Sequence, residues 1–407
     1  MSLIHPSDPL TLAGAVVDSL VLATDPQTPE ASIFYWDRGG PYLRAVAKAA
    51  RAYPDPAVAA LAARLMADTR DPAAYLALRA ALVDIVAADP AAAAEPLFVR
   101  AWDAESNCRL GIHLGARYRT ESDVDPVDAD ALRGLPAGPA REAGGDCEVL
   151  VVVPFRDQTA SRSRLRNLLA CLTALRDQSA PRASYQVAVV ESDEVPRWRE
   201  VIEPYTDHYL FAEKGGLFNK AWAVNAGVVN CPGDAEVICI LDADVLVDRD
   251  FIGRNAARFR RPGAMGHLSY RDMWCLDEPS TAYAIDARLR RGEGAVDPAH
   301  LRAFVLRRPP GCCVWVRTSA YHRIGGMDER FEGWGGEDND FAYRMDINSA
   351  FDHYDDPLFH MYHPSSSALR EDGELINAHI PALSWRPDGP IGDLHRFARR
   401  AGAPAGV

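Results

Sequence analysis

Residues 149–154 read VLVVVP, a run of apolar side chains in which β-branched valine predominates. An unbroken apolar run of this kind is typical of a strand buried on both faces of a parallel sheet. Similar patterns further along predict a helix over 163–176, a strand over 185–191, a helix over 219–229 and a strand over 236–241. Because strands that alternate with helices indicate βαβ units, we expect an α/β domain with a mostly parallel central sheet and helices on both faces.

The part of the chain before this domain has a different composition. Residues 42–102 are rich in Ala and Leu at helical spacing, and two Asp-Pro pairs, at 55–56 and 71–72, have the order of an N-cap followed by the first helical residue. Because no group of catalytic side chains occurs there, we expect a helical domain that serves packing or formation of a homo-oligomer. Residues 121–146 are rich in Asp, Pro, Gly and Ala, which is typical of a linker.

These patterns predict four parts of the chain. They are a helical N-terminal domain over 1–120, a linker over 121–146, the α/β domain over 147–365, and a C-terminal extension over 366–407 that ends in a helix.

The overall composition of the 407 residues disfavours several partners. The formal net charge of -13 disfavours nucleic acid, whose phosphates favour a basic surface, and it disfavours anionic membranes. We expect no transmembrane segment and no signal peptide, because no apolar run has the necessary length and the first residues lack a basic region before an apolar one. The eight cysteines are scattered without a Cys-x-x-Cys pair, so we expect a reduced, cytoplasmic protein without structural zinc or disulfides.

Two carboxylates follow the apolar strand over 236–241. Asp242 and Asp244 form an Asp-x-Asp (DXD) pattern, from which both side chains could reach one cation. The bare pattern is common, but ligands of open α/β sheets bind beyond the carboxyl ends of the strands, which favours a functional interpretation here. Carboxylates together with diphosphate oxygens suit Mg²⁺ or Mn²⁺ better than zinc. Such a cation would neutralise a diphosphate leaving group.

Two histidines, His360 and His363, follow the apolar segment 357–359. Either ring could complete the cation site, since imidazole suits Mn²⁺ better than Mg²⁺. We favour His363 because it lies later in the turn, directly before Pro364. The alternative is a pair of ordinary hydrogen-bonded histidines.

The segment 325–340, GGMDERFEGWGGEDND, combines one Trp with six carboxylates and two glycine pairs. Glycines let the backbone approach a ligand closely, and the carboxylates could bind sugar hydroxyls, hold a metal or remove a proton. The alternative is a decorated surface turn. We favour a functional site, because binding and catalytic residues concentrate on loops.

Further candidates lie at the ends of the first strand and of the second helix. Pro154, Phe155 and Arg156 close the strand, and Arg156 could either bind a phosphate through two N–H groups or form a structural ion pair. Phe218 precedes the helix over 219–229. Its ring could stack on a base, and the helix N-terminus could face a phosphate.

Taken together, these motifs resemble those of glycosyltransferases of the GT-A fold, and they are most similar to the β-1,4-galactosyltransferase type and to bacterial family 2 glycosyltransferases. The matching elements occur in the same order over about residues 148–365. They are Pro154-Phe155-Arg156, Phe218-Asn219-Lys220-Ala221 with Asn225, Asp242-Ala243-Asp244, Pro310-Gly311, the octapeptide GWGGEDND at 333–340, and the His360/His363 pair. The octapeptide is the most specific of them.

The resemblance implies a Rossmann-like catalytic domain that binds a nucleotide-diphosphate sugar, with a UDP-sugar favoured, together with Mn²⁺ or Mg²⁺. It implies Asp244 as the principal metal carboxylate, next to Asp242, and His363 as the imidazole ligand. His360 occupies the position at which the animal enzymes carry a Met ligand. Asp338 would be the general base that deprotonates the acceptor hydroxyl.

The resemblance also assigns roles around these residues. Glu337 and Asp340 would hold the acceptor or the loop, and Trp334, next to Gly335 and Gly336, would lie on a mobile loop that closes over donor and metal. Arg156 and Phe218 would contact the diphosphate and the base, and Asp193 would hold the base or the ribose. The remaining motif residues assigned to donor binding are Pro154, Phe155, Lys220, Asn225 and Gly311.

The predicted function is transfer of the sugar to a hydroxyl of a small molecule or glycan, with inversion. The sequence departs from the family at Gln158, which replaces a second Arg, in the loop over 266–308, and in the helical N-terminal region. The acceptor is therefore not transferable by analogy. Three alternatives stay open: a retaining enzyme of the same fold, a nucleotidyltransferase acting on sugar phosphates, and a non-catalytic module that binds sugar nucleotides.

Overall fold

The computed structural model describes residues 5–121, 124–125, 127–136, 138–139, 141, 147–333, 335–364 and 374–397. Trp334, on which the mobile loop is predicted, lies outside the described residues, and so do residues 365–373 and 398–407 of the C-terminal extension in which a terminal helix is predicted. Within the described part, no helix is both long and apolar enough to span a bilayer.

The N-terminal region consists of helices packed around a central one. They are α1 (Pro9–Thr24), α2 (Thr28–Ala31), α3 (Ile33–Arg51), α4 (Pro56–Ala67), α5 (Pro72–Ala88) and α6 (Pro96–Asn107). Asp55 and Asp71 accept hydrogen bonds from backbone amides in the first turns of α4 and α5, and a proline follows each of them. Both predicted N-caps are confirmed. Helix α1 is buried along most of its length and contacts α3, α4, α5 and α6.

The strands belong to two sheets. They are β1 (Leu110–Leu114), β2 (Val149–Phe155), β3 (Tyr185–Glu191), β4 (His208–Phe211), β5 (Val237–Leu241), β6 (Val245–Leu246), β7 (Gly266–Leu268), β8 (Asp272–Leu276), β9 (Arg302–Arg307), β10 (Cys313–Arg317), β11 (Phe351–His353) and β12 (Leu358–His360). The remaining helices are α7 (Ala129–Arg133), α8 (Ser163–Arg176), α9 (Arg199–Ile202), α10 (Lys220–Asn230), α11 (Phe251–Arg258), α12 (Glu278–Ile285), α13 (Thr318–Arg323) and α14 (Glu337–Asn348).

The central sheet has the strand order β11-β7-β10-β5-β2-β3-β4 within the described residues. Neighbouring strands are parallel except where β10 pairs with β5 and β7. Strands β2, β3 and β5 are buried at every position, as continuous apolar runs require in a sheet covered on both faces. The mostly parallel α/β architecture is confirmed, and so are the strands and helices predicted between residues 149 and 241.

A second sheet, in the order β1-β9-β8-β12-β6, was not predicted from the sequence. Its edge strand β1 lies on the N-terminal side of the expected linker, yet it pairs along its whole length with β9. The helical region is therefore joined to the α/β domain through sheet hydrogen bonds as well as through the chain. The boundary at residue 120 stays a prediction.

A buried polar network connects the same two regions. Arg302 at the start of β9 is fully buried and forms an ion pair with Asp25, which follows α1. Arg70 donates a 2.7 Å hydrogen bond to the Tyr118 hydroxyl, which in turn donates a 2.7 Å bond to Asp277. This network fixes the position of the helices relative to β8 and β9.

The C-terminal segment 374–397 runs across the loop over residues 325–340, which is called the acidic loop below. Residues 374–397 contain turns and no helix. The Leu383 amide donates to Asp340 Oδ1 at 3.2 Å, and Trp385 Nε1 donates to the Gly325 carbonyl at 2.7 Å. The segment thus covers part of the loop over 325–340.

Candidate active site

A cleft of about 1050 Å³ opens at the carboxyl ends of the parallel strands. This is the position at which open α/β sheets bind ligands. The predicted site residues that line it are Pro154, Phe155, Arg156, Phe218, Lys220, Asp242, Asp244, Gly311, Gly335, Gly336, Glu337, Asp338, His360 and His363. Residues far apart in the sequence are thus brought into one cavity.

A carboxylate and two imidazoles form a cluster at the end of β12. His360 Nε2 lies 3.3 Å from Asp244 Oδ1, and His363 Nε2 lies 2.9 Å from Asp244 Oδ2. One ligand atom from each of the three residues lies within 4.8 Å of the others. The pairing of β12 with β6 produces this geometry, because it places His360 opposite Val245, next to Asp244.

The chemistry of this cluster suits a divalent cation. Asp244 Oδ1 is buried without a hydrogen-bond partner among the described residues, and a bound cation would satisfy such an oxygen. Burial alone would raise the pKa of Asp244, but the two imidazoles outweigh burial and hold the pKa below its ordinary value. Burial lowers the pKa of His360 despite the neighbouring Asp244, which favours the neutral ring, the form that binds a metal. Two imidazoles beside one carboxylate favour Mn²⁺ over Mg²⁺.

Lys220 bridges two other acidic residues of the cleft. Its Nζ lies 2.7 Å from Asp242 Oδ1 and 2.9 Å from Asp338 Oδ2. Burial alone would lower the pKa of Lys220, but Asp242 and Asp338 outweigh burial and raise it well above its ordinary value. Asp242 is therefore paired with a cationic side chain, whereas Asp244 faces the two histidines. The two carboxylates of the Asp-x-Asp pattern have different neighbours.

The adjacent carboxyls Glu337 and Asp338 begin helix α14. Burial, reinforced by the nearby Asp338, raises the pKa of Glu337 to about 7. Burial also raises the pKa of Asp338, although Lys220 opposes the shift. Both acids thus bind protons more tightly than exposed acids do, which suits a group that must accept a proton.

Glycines bring the backbone close to these side chains. A Cβ at Gly311 would lie 2.3 Å from Asp338 Oδ2, so the absence of a side chain there leaves room for the carboxylate. Gly336 has φ of 105° and precedes α14, and a Cβ there would lie 2.5 Å from the Phe331 ring. Only glycine adopts that backbone conformation without strain.

Arg156 is engaged by the protein itself. Its guanidinium donates to the carbonyls of Ser192, Lys214 (2.7 Å) and Gly216 (2.6 Å). It also lies 5.4 Å from the centroid of the Phe218 ring. These contacts hold the loop before α10 against the end of β2. Contact of Arg156 and Phe218 with a diphosphate and a base stays a prediction.

Two predicted site residues lie behind the wall of the cleft and are not among its described lining residues. Asp193 accepts from Gln158 at 2.7 Å and pairs with Arg197 at 2.8 Å. Asn225 is buried and donates to the Met327 carbonyl at 2.9 Å and to Glu329 at 2.8 Å. Asn225 therefore positions the acidic loop from beneath. Because Asn225 is not among the described lining residues of the cleft, its contact with the donor stays a prediction.

Sequence reasoning missed part of the lining. Phe34, Tyr35 and neighbouring residues at the junction of α2 and α3 line the cleft, as do Leu375 and Leu383 of the C-terminal segment. The Ala- and Leu-rich composition of the helical region carries no signal for this placement. One available signal was the aromatic run Phe34-Tyr35-Trp36, which precedes the Ala-rich stretch 42–102.

Residues 151–325 match the family model described as glycosyl transferase family 2, and residues 305–362 match the one described as the N-terminal domain of galactosyltransferase. Residues 151–362 form a glycosyltransferase domain. The resemblance inferred from the motifs is confirmed by these matches. They include the lining residues of the cleft except His363 and those contributed by the N-terminal helices and the C-terminal segment.

Comparison with curated proteins found no match. Similar solved structures include a mannosyltransferase, PcManGT of Pyrobaculum calidifontis, in complex with GDP-Man and Mn²⁺, at 19% identity and a TM-score of 0.33, covering 57% of this chain and 61% of that one. TarS of S. aureus (residues 1–349) has 13% identity and a TM-score of 0.37, covering 53% and 60%. Drosophila β1,4-galactosyltransferase 7 with xylobiose has 14% identity and a TM-score of 0.31, covering 63% and 82%. The chain spans about three fifths of the length of the first two.

Proposed function

We propose that this protein transfers a sugar from a nucleotide-diphosphate sugar to an acceptor hydroxyl, with inversion at the anomeric carbon. The observation that carries the proposal is the convergence of two groups in one cleft. Asp244, His360 and His363 form a candidate cation site, and Asp338 forms an ion pair with Lys220 in the same cavity. One group can hold the donor and the other can accept the proton of the acceptor.

Asp338 is the general base in this proposal. The acceptor oxygen forms a bond to the anomeric carbon as the bond from that carbon to the diphosphate oxygen breaks, and the hydroxyl proton passes to an Asp338 oxygen. The buried position and raised pKa of this carboxyl favour proton uptake. General-base catalysis of this kind contributes about 10²–10⁴ in rate.

Lys220 has two roles in the same step. Its ammonium forms ion pairs with Asp242 and Asp338 and fixes the base within the cleft. Because Lys220 is at the N-terminus of α10, its ammonium and the backbone N–H groups of that end together favour a negatively charged ligand.

Asp244, His360 and His363 would hold the divalent cation, which supplies positive charge to the departing diphosphate. Mn²⁺ is the expected ion, and a UDP-sugar is the expected donor. Because the base-binding residues stay predictions, GDP-sugars belong in the same test. The cytoplasmic location expected from the cysteines also stays a prediction.

The decisive experiment is a donor panel assayed with and without Mn²⁺. We expect release of a nucleoside diphosphate from one donor class, dependent on Mn²⁺, and abolished in Asp244→Asn. His363→Ala should weaken Mn²⁺ binding, which is measured without turnover by electron paramagnetic resonance of free Mn²⁺. His353→Ala is the matched control, because His353 is an exposed histidine on β11 that does not line the described cleft.

The same assay separates the alternatives. Release of pyrophosphate would identify a nucleotidyltransferase, and donor binding without cleavage across acceptors would identify a binding module. The anomeric configuration of the product, read by nuclear magnetic resonance, separates inversion from retention. Mn²⁺ binding that Asp244→Asn leaves unchanged would contradict the proposed cation site.

A further inference from the structure

The second sheet forms an apolar floor in the cleft, between the cation cluster and the base. Strands β8 and β9 are antiparallel, with Met273 opposite Leu306 and Cys275 opposite Phe304. Directly opposite residues, and those two positions along a strand, lie on the same face of a sheet. All four side chains line the cleft. This set is called the apolar floor below.

The apolar floor extends from one functional group to the other. At one end, Cys275 is paired across β8 and β12 with His360 of the cation cluster. At the other end, Met273 Sδ lies 3.0 Å from Cys312 Sγ, and Cys312 follows Gly311, which Asp338 contacts closely. A molecule lying on this floor would have one edge at the donor and another at the base.

The N-terminal helices supply a wall beside the floor. Ser32 makes a break in the helical backbone between α2 and α3. Its hydroxyl caps α3 by accepting a hydrogen bond from the Tyr35 amide at 3.4 Å. Ala31, Phe34 and Tyr35 at this break line the cleft, and the two rings meet edge to face at 5.6 Å. Both rings are half-buried where they line the cleft, and the Arg38 guanidinium lies 4.1 Å from the centroid of the Phe34 ring.

The wall also reaches the turn that carries the histidines. Tyr362 lies between His360 and His363 in sequence, and it lines the cleft together with Glu30 of α2. The helical region is thus part of the site's immediate surroundings.

On the basis of the proposed function, we propose that the floor and this wall bind an apolar aglycone of the acceptor, an alkyl or aryl group attached to the accepting sugar or alcohol. The side chains of the floor and of Ala31, Phe34 and Tyr35 carry no charge, so they favour apolar surface. The charged groups Lys220, Asp242 and Asp244 lie where the donor's diphosphate is expected. The cleft volume of about 1050 Å³ exceeds the range of about 300–1,000 Å³ that holds one small molecule, which leaves room for a second substrate.

The test compares n-octyl, phenyl and methyl β-glycosides of one sugar. Binding to the full chain is measured by isothermal titration with Mn²⁺ and the nucleoside diphosphate present, so the readout does not require turnover. We expect the octyl or the phenyl glycoside to bind at least about tenfold more tightly than the methyl glycoside, because an apolar group leaves water. The octyl and phenyl arms distinguish an alkyl from an aryl aglycone.

Phe34→Ala and, independently, Ala31→Asp should reduce this preference to less than about threefold, since they remove apolar surface or add a charge. The matched control is Tyr42→Ala, because Tyr42 is an exposed aromatic residue on the same helix that does not line the described cleft. Thermal unfolding verifies that each variant is folded.

Equal binding of the three glycosides, including undetectable binding of all of them, would overturn the inference. A preference that Leu383→Ala abolishes and Phe34→Ala leaves intact would also overturn it, because the aglycone would then lie on the opposite wall. Failure of the proposed function has a separate signature, which is the absence of Mn²⁺-dependent donor cleavage by the unaltered protein.

Discussion

Asp338 has a single close cationic partner among the described side chains, and that partner is shared. Lys220 forms ion pairs with Asp338 and Asp242 at the same time. The base and one carboxylate of the Asp-x-Asp pattern are therefore linked through a single side chain. Burial raises the pKa of Asp338, and Lys220 opposes that rise and so favours the carboxylate, which is the form that accepts a proton. The proton that leaves the acceptor therefore has an available oxygen.

Asp338→Asn tests this assignment directly. The amide keeps the shape of the side chain but cannot take up the proton, so we expect kcat to fall by about 10²–10⁴ while the affinity for donor changes little. Nucleoside diphosphate release with saturating acceptor gives kcat, and titration with the donor gives the affinity. Asp346→Asn, an exposed position on the same helix, is the control. Unchanged turnover in Asp338→Asn would remove this residue from its role.

Glu337 makes stability depend on pH. The carboxyl has a pKa of about 7 instead of 4.5, so its contribution to stability is complete below pH 4.5 and is lost as the pH rises through about 7. We expect the free energy of unfolding to fall over this range by up to about 3 kcal/mol more than in Glu337→Gln. Urea unfolding at several pH values measures the difference.

The control for this pH effect is Glu200→Gln, because Glu200 is exposed on α9. Glu200→Gln should follow the pH profile of the unaltered protein. If the free energy of unfolding of Glu337→Gln changed with pH in parallel with that of the unaltered protein, Glu337 would not be the group whose titration lowers the stability.

Several side-chain roles could not be predicted because their partners are distant in sequence. The motif around Asp338 and the histidines is recognisable in sequence, since its residues are close together and chemically distinctive. Arg156, by contrast, donates to carbonyls at 192, 214 and 216, and Asn225 bonds residues 327 and 329. Their positions in the motif suggested ligand contact, whereas in the structure backbone carbonyls bind Arg156, and a backbone carbonyl and the Glu329 side chain bind Asn225.

Among the backbone segments, the turn at 309–312 determines where the base can lie. Gly311→Ala would place a Cβ 2.3 Å from Asp338 Oδ2. The carboxylate is the far end of a side chain and can rotate, and Lys220 keeps its second partner Asp242, so we expect a smaller loss of stability than a backbone clash would cause. Because the base would then point elsewhere, kcat should fall at least about tenfold, in line with the sensitivity of catalysis to misplacement of this size.

Gly294→Ala is the matched control for this substitution, because a Cβ there meets nothing within 4 Å. Thermal unfolding and nucleoside diphosphate release are measured for both variants. A large loss of stability in Gly311→Ala would contradict the expected rotation of Asp338, and full activity would contradict the placement of the base.

The secondary-structure elements differ in how well the sequence predicts them. Strands β2 and β3 are seven residues long and wholly buried, so their apolar runs are unambiguous. The second sheet contains β6, with two residues, and β12, with three, which are too short for any period to be recognised. Its strands are joined by long-range pairing, which local patterns do not encode.

For the chain as a whole, the ion pair between Arg302 and Asp25 is a fully buried link across the two regions. Arg302→Met would leave Asp25 buried without its main partner. We expect a loss of about 3–5 kcal/mol in the free energy of unfolding, measured with urea. Arg64→Met removes an ion pair with Asp71 in which the Arg64 side chain is 57% exposed, and it should cost less than about 1 kcal/mol. Equal effects of the two substitutions would argue against a special contribution from the buried pair.

Strand β1 has a consequence for any attempt to divide this protein. A fragment that begins at residue 147 would retain every motif of the glycosyltransferase domain, but the outer backbone groups of β9 would lose their partner strand. An uncovered strand edge is a template for intermolecular pairing, so such a fragment would tend to precipitate. Transplanting the domain into another protein would therefore require residues 110–114 to travel with it.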